Sequence, residues 1–164
     1  MSYFTMRYLA TLLMFVAGVA AHGQGADSAG LDNPELANAR ALLQAGREQM
    51  IREDLQMTEA ESAAFWPVYN KYRDEKRIVQ DRHAKMVARF LERHRDGGFD
   101  NEYAEHLLAE HFEIRGAILA VQMKYVPYFR ETLPALKVAR FYQLENKMDA
   151  EIDAQLALVI PLVE

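Results

Sequence analysis

The sequence predicts an all-α fold: four main helices, two of them long, arranged in antiparallel hairpins. Three observations carry this reading. Apolar residues recur at spacings of three and four over many turns. No segment sustains the apolar–polar alternation of a strand. The chain breakers are few and fall between the periodic runs.

The first helix is expected from Pro34 to about Asp54. Asn33 offers an N-cap, and Pro34 suits the first helical position, where its missing N–H has no intrahelical partner to lose. Leu36, Ala39, Leu43 and Met50 follow at helical spacing. The second helix opens on Thr58-Glu59-Ala60-Glu61, a capping box. Thr58 can accept from the backbone N–H of residue 61, and Glu61 can reach back to the N–H of residue 58. Both glutamates also sit at the positive end of the helix dipole. Phe65, Val68, Tyr69, Tyr72, Val79, Met86 and Phe90 then keep the helical period. Pro67 falls past the first turn, where it removes a hydrogen bond and is expected to kink the helix.

Gly97-Gly98 stops that helix, and the third starts at Asp100 or Asn101. Its first apolar line is Tyr103, Leu107, Ile114, Ile118, Val121 and Tyr125. A second line, Leu108, Phe112 and Leu119, widens the apolar face and predicts contact with more than one neighbour. The stretch 129–134 breaks the chain, with Thr132 a candidate cap. Val138, Phe141, Leu144, Met148, Ile152, Leu156 and Val159 mark the last helix. Each long helix should exceed about 25 residues, or roughly 40 Å. A helix that long buries its stripe only against a partner of similar length, which favours an elongated dimer.

Two segments resemble one another. Aligning Met57 onto Leu133 pairs Ala63 with Ala139, Phe65 with Phe141, Asn70 with Asn146, Lys71 with Lys147 and Glu75 with Glu151. Trp66 then meets Tyr142, and Val68 meets Leu144. Such a repeat means two similar units, neither able to bury its apolar face alone.

The 164 residues are 51% hydrophobic and 26% charged, which supports a true core and argues against disorder. One helical domain over 34–160 is the expectation. The N-terminus has a different character. Arg7 precedes an apolar run from Leu9 to Ala21 that is too short for a bilayer core, which needs about 20 residues. Val19-Ala20-Ala21 and Ala21-His22-Gly23 both offer cleavage patterns. Residues 1–21 therefore read as a secretory signal peptide, and 22–33 as a flexible lead-in. An uncleaved anchor helix is the alternative. Loss of 1–21 takes away one positive charge, Arg7, and turns the formal −5 into −6. No later segment is apolar enough to span a membrane. The absence of cysteine excludes disulfides, thiolate ligands, cysteine nucleophiles and a lipoprotein anchor. The acidic balance gives no basic face for nucleic acid.

The helix-start residues resemble the Spy/CpxP superfamily of bacterial periplasmic proteins, named for LTxxQ motifs. Met57-Thr58-Glu59-Ala60-Glu61 is similar to the first motif, with Met for Leu and Glu for Gln. Leu133-Pro134-Ala135-Leu136-Lys137 stands at the second, with Pro for Thr and Lys for Gln. The resemblance covers most of 34–160. It implies a cradle-like dimer of helical hairpins in the periplasm. Its members include ATP-independent chaperones, a stress-signalling inhibitor and heavy-metal sensors. Two roles follow for this chain. One is binding of unfolded proteins; the other is an envelope sensor or regulator that binds a metal or a membrane signalling protein.

No phosphate-binding glycine loop, H-E-x-x-H or nucleophile arrangement occurs, so no enzyme and no cofactor is expected. The candidate contacts for a client or partner are Trp66, Tyr69, Tyr72, Phe141 and Tyr142. For Trp66 the first reading is a core anchor beside Pro67, and the second a partly exposed contact. His106 and Glu110 lie four apart on one helix face with His111 next to them, and are the candidate metal ligands. His83 and His94 lie on the preceding helix, and the Gly97-Gly98 turn could bring His94 near Tyr103 or His106. A metal needs three or four converging groups, and no complete set is evident in the sequence.

Overall fold

The computed structural model describes residues 34–163. The expectations for residues 1–33, including the signal peptide, the lead-in and the Asn33 cap, lie outside the described residues. Those residues form four helices and no strand. They are α1 (Pro34–Leu55), α2 (Glu59–Asp96), α3 (Asn101–Thr132) and α4 (Ala135–Ala157). The all-α expectation therefore holds.

Local chemistry explains the ends. Thr58 Oγ1 accepts from Glu61 N at 3.2 Å, and Thr58 N donates to Glu61 Oε2 at 2.8 Å, so both halves of the capping box are present. Gly97 adopts a left-handed φ of 67°, which ends α2 at little steric cost. Asp100 caps α3 through its side chain, which accepts from Tyr103 N at 2.7 Å. Thr132 behaves differently from the expectation. Its hydroxyl donates backward to the Phe129 carbonyl at 2.9 Å, so it closes α3 instead of opening α4. Pro134 precedes α4, and its carbonyl accepts the first helical bond from Val138 N. Pro67 and Pro127 both lie inside continuous helices.

The described residues divide into two compact units, one of residues 55–143 and one formed by residues 34–54 with 144–163. In the first unit α2 and α3 run antiparallel, as the pairs Glu75–Lys124, Arg82–Glu113 and Arg89–Glu110 show. The start of α4 lies parallel to the start of α2. Glu61 meets Lys137 and Phe65 meets Phe141, both at the 76-residue offset found in the sequence.

The core of this unit is aromatic. Phe65, Tyr69, Tyr72, Phe129 and Phe141 are all but fully buried. Phe129 and Phe141 approach to 4.6 Å between ring centres, and Phe65 lies 5.4 Å from Phe129. Most of the pairs are edge-on or tilted, which suits the ring quadrupoles. In the second unit Arg47 donates to Glu145 at 3.3 Å and to Asp149 at 2.7 Å. Glu145 is buried there, so Arg47 compensates a desolvated carboxylate.

Truncating a central ring leaves a cavity that the surrounding rings cannot collapse to fill. Phe65→Ala and Phe141→Ala are each expected to lose about 3–5 kcal/mol in urea unfolding. Leu136→Ala, at an exposed position, should stay within about 0.5 kcal/mol. A loss below about 1 kcal/mol at either phenylalanine would contradict this packing.

Candidate functional site

The five aromatic candidates separate into two groups. Tyr69, Tyr72 and Phe141 are 1%, 1% and 0% exposed. They are core residues in this structure and offer no contact to a partner. Trp66 and Tyr142 are half-buried at the rim of that core. Trp66 Nε1 donates to Ser62 Oγ at 3.0 Å, and its ring stands edge-on to Phe65 and Tyr69. Tyr142 donates its hydroxyl to the Gln122 carbonyl at 2.8 Å. The neighbouring Met123 carbonyl is the one that Pro127 deprives of its helical donor. Both side chains thus lid the aromatic core and keep their polar atoms bonded.

The histidine candidates do not converge. Among the described residues no group of three or more His, Asp or Glu side chains could hold a metal ion. Both Glu110 carboxylate oxygens accept from Arg89 at 2.7 Å. His111 packs edge-on to Phe112, and His106 is exposed. His94 stacks on Phe90 and lies 5.9 Å from Phe99, so it serves the end of the hairpin.

Glu61 and Lys137, which stand where the LTxxQ pattern has Gln, meet each other. Lys137 Nζ donates to Glu61 Oε2 at 2.7 Å and to the Gln56 carbonyl at 3.1 Å. Gln56 has a left-handed φ of 44°, a conformation that costs a residue with a side chain about 1–2 kcal/mol. Lys137 therefore ties the start of α4 to both the capping box and the strained joint before it. The hydrogen bonds from Lys137 and from the Thr58 amide hold the Glu61 carboxyl below its ordinary range. Glu75 is lowered in the same way by Lys124 and by the Tyr125 hydroxyl, which donates to it at 2.7 Å. Burial, and then that same carboxylate, push the Tyr125 phenol up to about 12.

The surface feature that stands apart lies on α3. Leu108, Phe112, Leu119 and Met123 are 58%, 68%, 55% and 64% exposed. At helical spacing they fall on one face, about a third of a turn round the helix from the buried Ile114, Tyr125 and Phe129. Three of them are the second apolar line read from the sequence; Met123 extends it. The neighbour that line predicts is not found within the described chain. A line of exposed apolar side chains along one helix face is the kind of surface that often marks a binding site. Ala109, Gly116 and Ala120 edge the face, and a Cβ built on Gly116 would meet nothing within 4 Å. No helix among the described residues is long and apolar enough to cross a membrane.

Comparison with protein-family models, with curated proteins and with solved structures finds no match for this chain. Its surface is therefore read from its own chemistry.

The lowered Glu61 carboxyl ties stability to pH with a definite sign. Glu61 binds its proton more weakly folded than unfolded. The stability it supplies is present above its ordinary value of 4.5 and is lost as pH falls through the lowered folded value. Glu61→Gln should flatten the acid side of the curve of melting temperature against pH. An unchanged acid slope would contradict the Glu61–Lys137 link.

Proposed function

We propose that the protein is a non-enzymatic binding protein of the periplasm, exported by its N-terminal segment, that holds unfolded proteins without ATP in the manner of Spy/CpxP-type chaperones. The observation that carries this reading is the exposed apolar face of α3. A folded chain that leaves Leu108, Phe112, Leu119 and Met123 in water keeps a surface suited to another apolar surface. Methionine and leucine at such a site adapt to many partners, since their side chains repack easily. The face presents no nucleophile and no cluster of acids or bases, which suits holding better than chemistry. The half-buried Trp66 and Tyr142 offer a second, smaller contact on the same unit.

In an aggregation assay on a reduced or heat-unfolded model substrate, the purified protein should suppress light scattering at near-stoichiometric ratio. ATP and EDTA should make no difference. Leu108→Asp combined with Phe112→Asp should abolish suppression while the circular dichroism spectrum stays helical, because neither side chain belongs to the core. Absence of suppression in large excess would overturn the chaperone reading. Suppression that EDTA removes would favour the metal-dependent sensor instead.

A further inference from the structure

We infer that the α3 face selects apolar segments that carry positive charge, so that its clients are unfolded chains whose apolar stretches are flanked by Lys or Arg. That the face binds unfolded chains at all rests on the binding reading above; the sign of charge it prefers follows from what borders it.

Leu108 and Phe112 form the N-terminal half of the exposed line. Glu105 precedes them by three and seven residues, so at helical spacing it shares their face. Glu102 stands seven residues before Ala109 and Glu113 four after it, which places both along the edge that Ala109 and Gly116 form. All three glutamates are exposed. The small side chain of Ala109 and the open space at Gly116 put no bulk between these carboxylates and a chain lying on the line.

Pairing separates these acids from their neighbour on α3. Glu110, turned toward α2, has both oxygens on Arg89. Glu113 meets Arg82 only at 3.5 Å, with 71% of its side chain exposed. Glu102 and Glu105 have no ion-pair partner among the described residues. The surrounding charge has the same sign. Residues 80–114 hold five Arg or Lys and eight Asp or Glu, a formal −3, and the whole chain carries −5. On α2, Arg82, Arg89 and Arg93 already face Glu113, Glu110 and Asp100. On α3, Lys124 is held by Glu75, and Arg130 stands seven residues past Met123. Arg115 lies on the other edge of the line from the glutamates and is engaged within the chain.

A cationic apolar segment gains twice on this surface. Its apolar side chains leave water against Leu108, Phe112, Leu119 and Met123, and its Lys or Arg residues find carboxylates beside them. A segment flanked by Asp or Glu meets like charge at the same place. Exposed ion pairs are individually weak, so the preference is several-fold and salt screens it.

Three synthetic peptides with one Leu- and Phe-containing stretch, flanked by Lys, by Gln or by Glu, test this in fluorescence anisotropy against the purified protein. At low salt the Lys-flanked peptide should bind roughly five- to tenfold more tightly than the Gln-flanked one, and the Glu-flanked one most weakly. About 0.5 M NaCl should bring the three together. Glu102→Gln combined with Glu105→Gln should remove most of the preference and leave the affinity for the Gln-flanked peptide unchanged. Equal affinities in the unaltered protein would overturn the charge selection while the binding reading stood. A preference that survives the double glutamine variant would overturn its assignment to these two residues. Tight binding of the Lys-flanked peptide by a Leu108→Ser, Phe112→Ser protein would mean attraction without the face, and would overturn the selection as well. Failure of all three peptides to bind would overturn the binding reading, and the selection with it.

Discussion

The contact between Phe129, Phe141 and Phe65 is the constraint on which the larger unit depends. It joins the end of α3, the start of α4 and the start of α2 at one point. Each helix brings its ring there because a cap or break upstream fixes where it begins or ends. The Thr58–Glu61 box sets the first turn of α2, and Phe65 follows one turn later. Thr132 closes α3 just after Phe129. Pro134 then starts α4 so that Phe141 faces back toward Phe65. Phe65 and Phe141 meet edge-on and the other two pairs are tilted, arrangements with a directional preference, so small errors in these starting points would weaken the contact.

The charged residues around this core refine that geometry more than they stabilise it. Lys137 bridges the capping box of α2 and the strained carbonyl of Gln56, both close to the aromatic contact. Glu75 gathers Lys124 and the Tyr125 hydroxyl on the other side. Exposed pairs of this kind contribute little each. Their use is to set register: Glu61 with Lys137 and Phe65 with Phe141 hold two similar helix starts side by side.

Much of this was legible in the sequence because it is local. The capping box, the glycine stop at Gly97 and the Asp100 start each depend on a few adjacent residues. The apolar period places the helices and shows that α3 has a second line, Leu108, Phe112 and Leu119; the further neighbour which that line predicts is not found among the described residues, where the three side chains are exposed. The ranking of aromatics was not legible. Tyr69, Tyr72 and Phe141 share their period with Trp66 and Tyr142, and only the packing of three helices decides which rings are sealed in. The role of Thr132 is not legible, because a hydroxyl at a helix boundary can serve either helix. The pairing of Glu61 with Lys137 spans 76 residues and has no local signature beyond the offset itself. Spacing alone makes the histidines candidate ligands. Glu110 has its oxygens taken by Arg89, a partner on another helix.

The central claim is that the outer face of α3 is the working surface, while the aromatic core is only its support. Hydroxyl-radical footprinting of the dilute protein, with and without an unfolded substrate, tests this most directly. Phe112 and Met123 should be oxidised in the free protein and protected once substrate is added. Phe65 and Phe141 should stay unlabelled throughout. Equal labelling of Phe112 and Met123 in both conditions, under which substrate aggregation is nonetheless suppressed, would contradict the account.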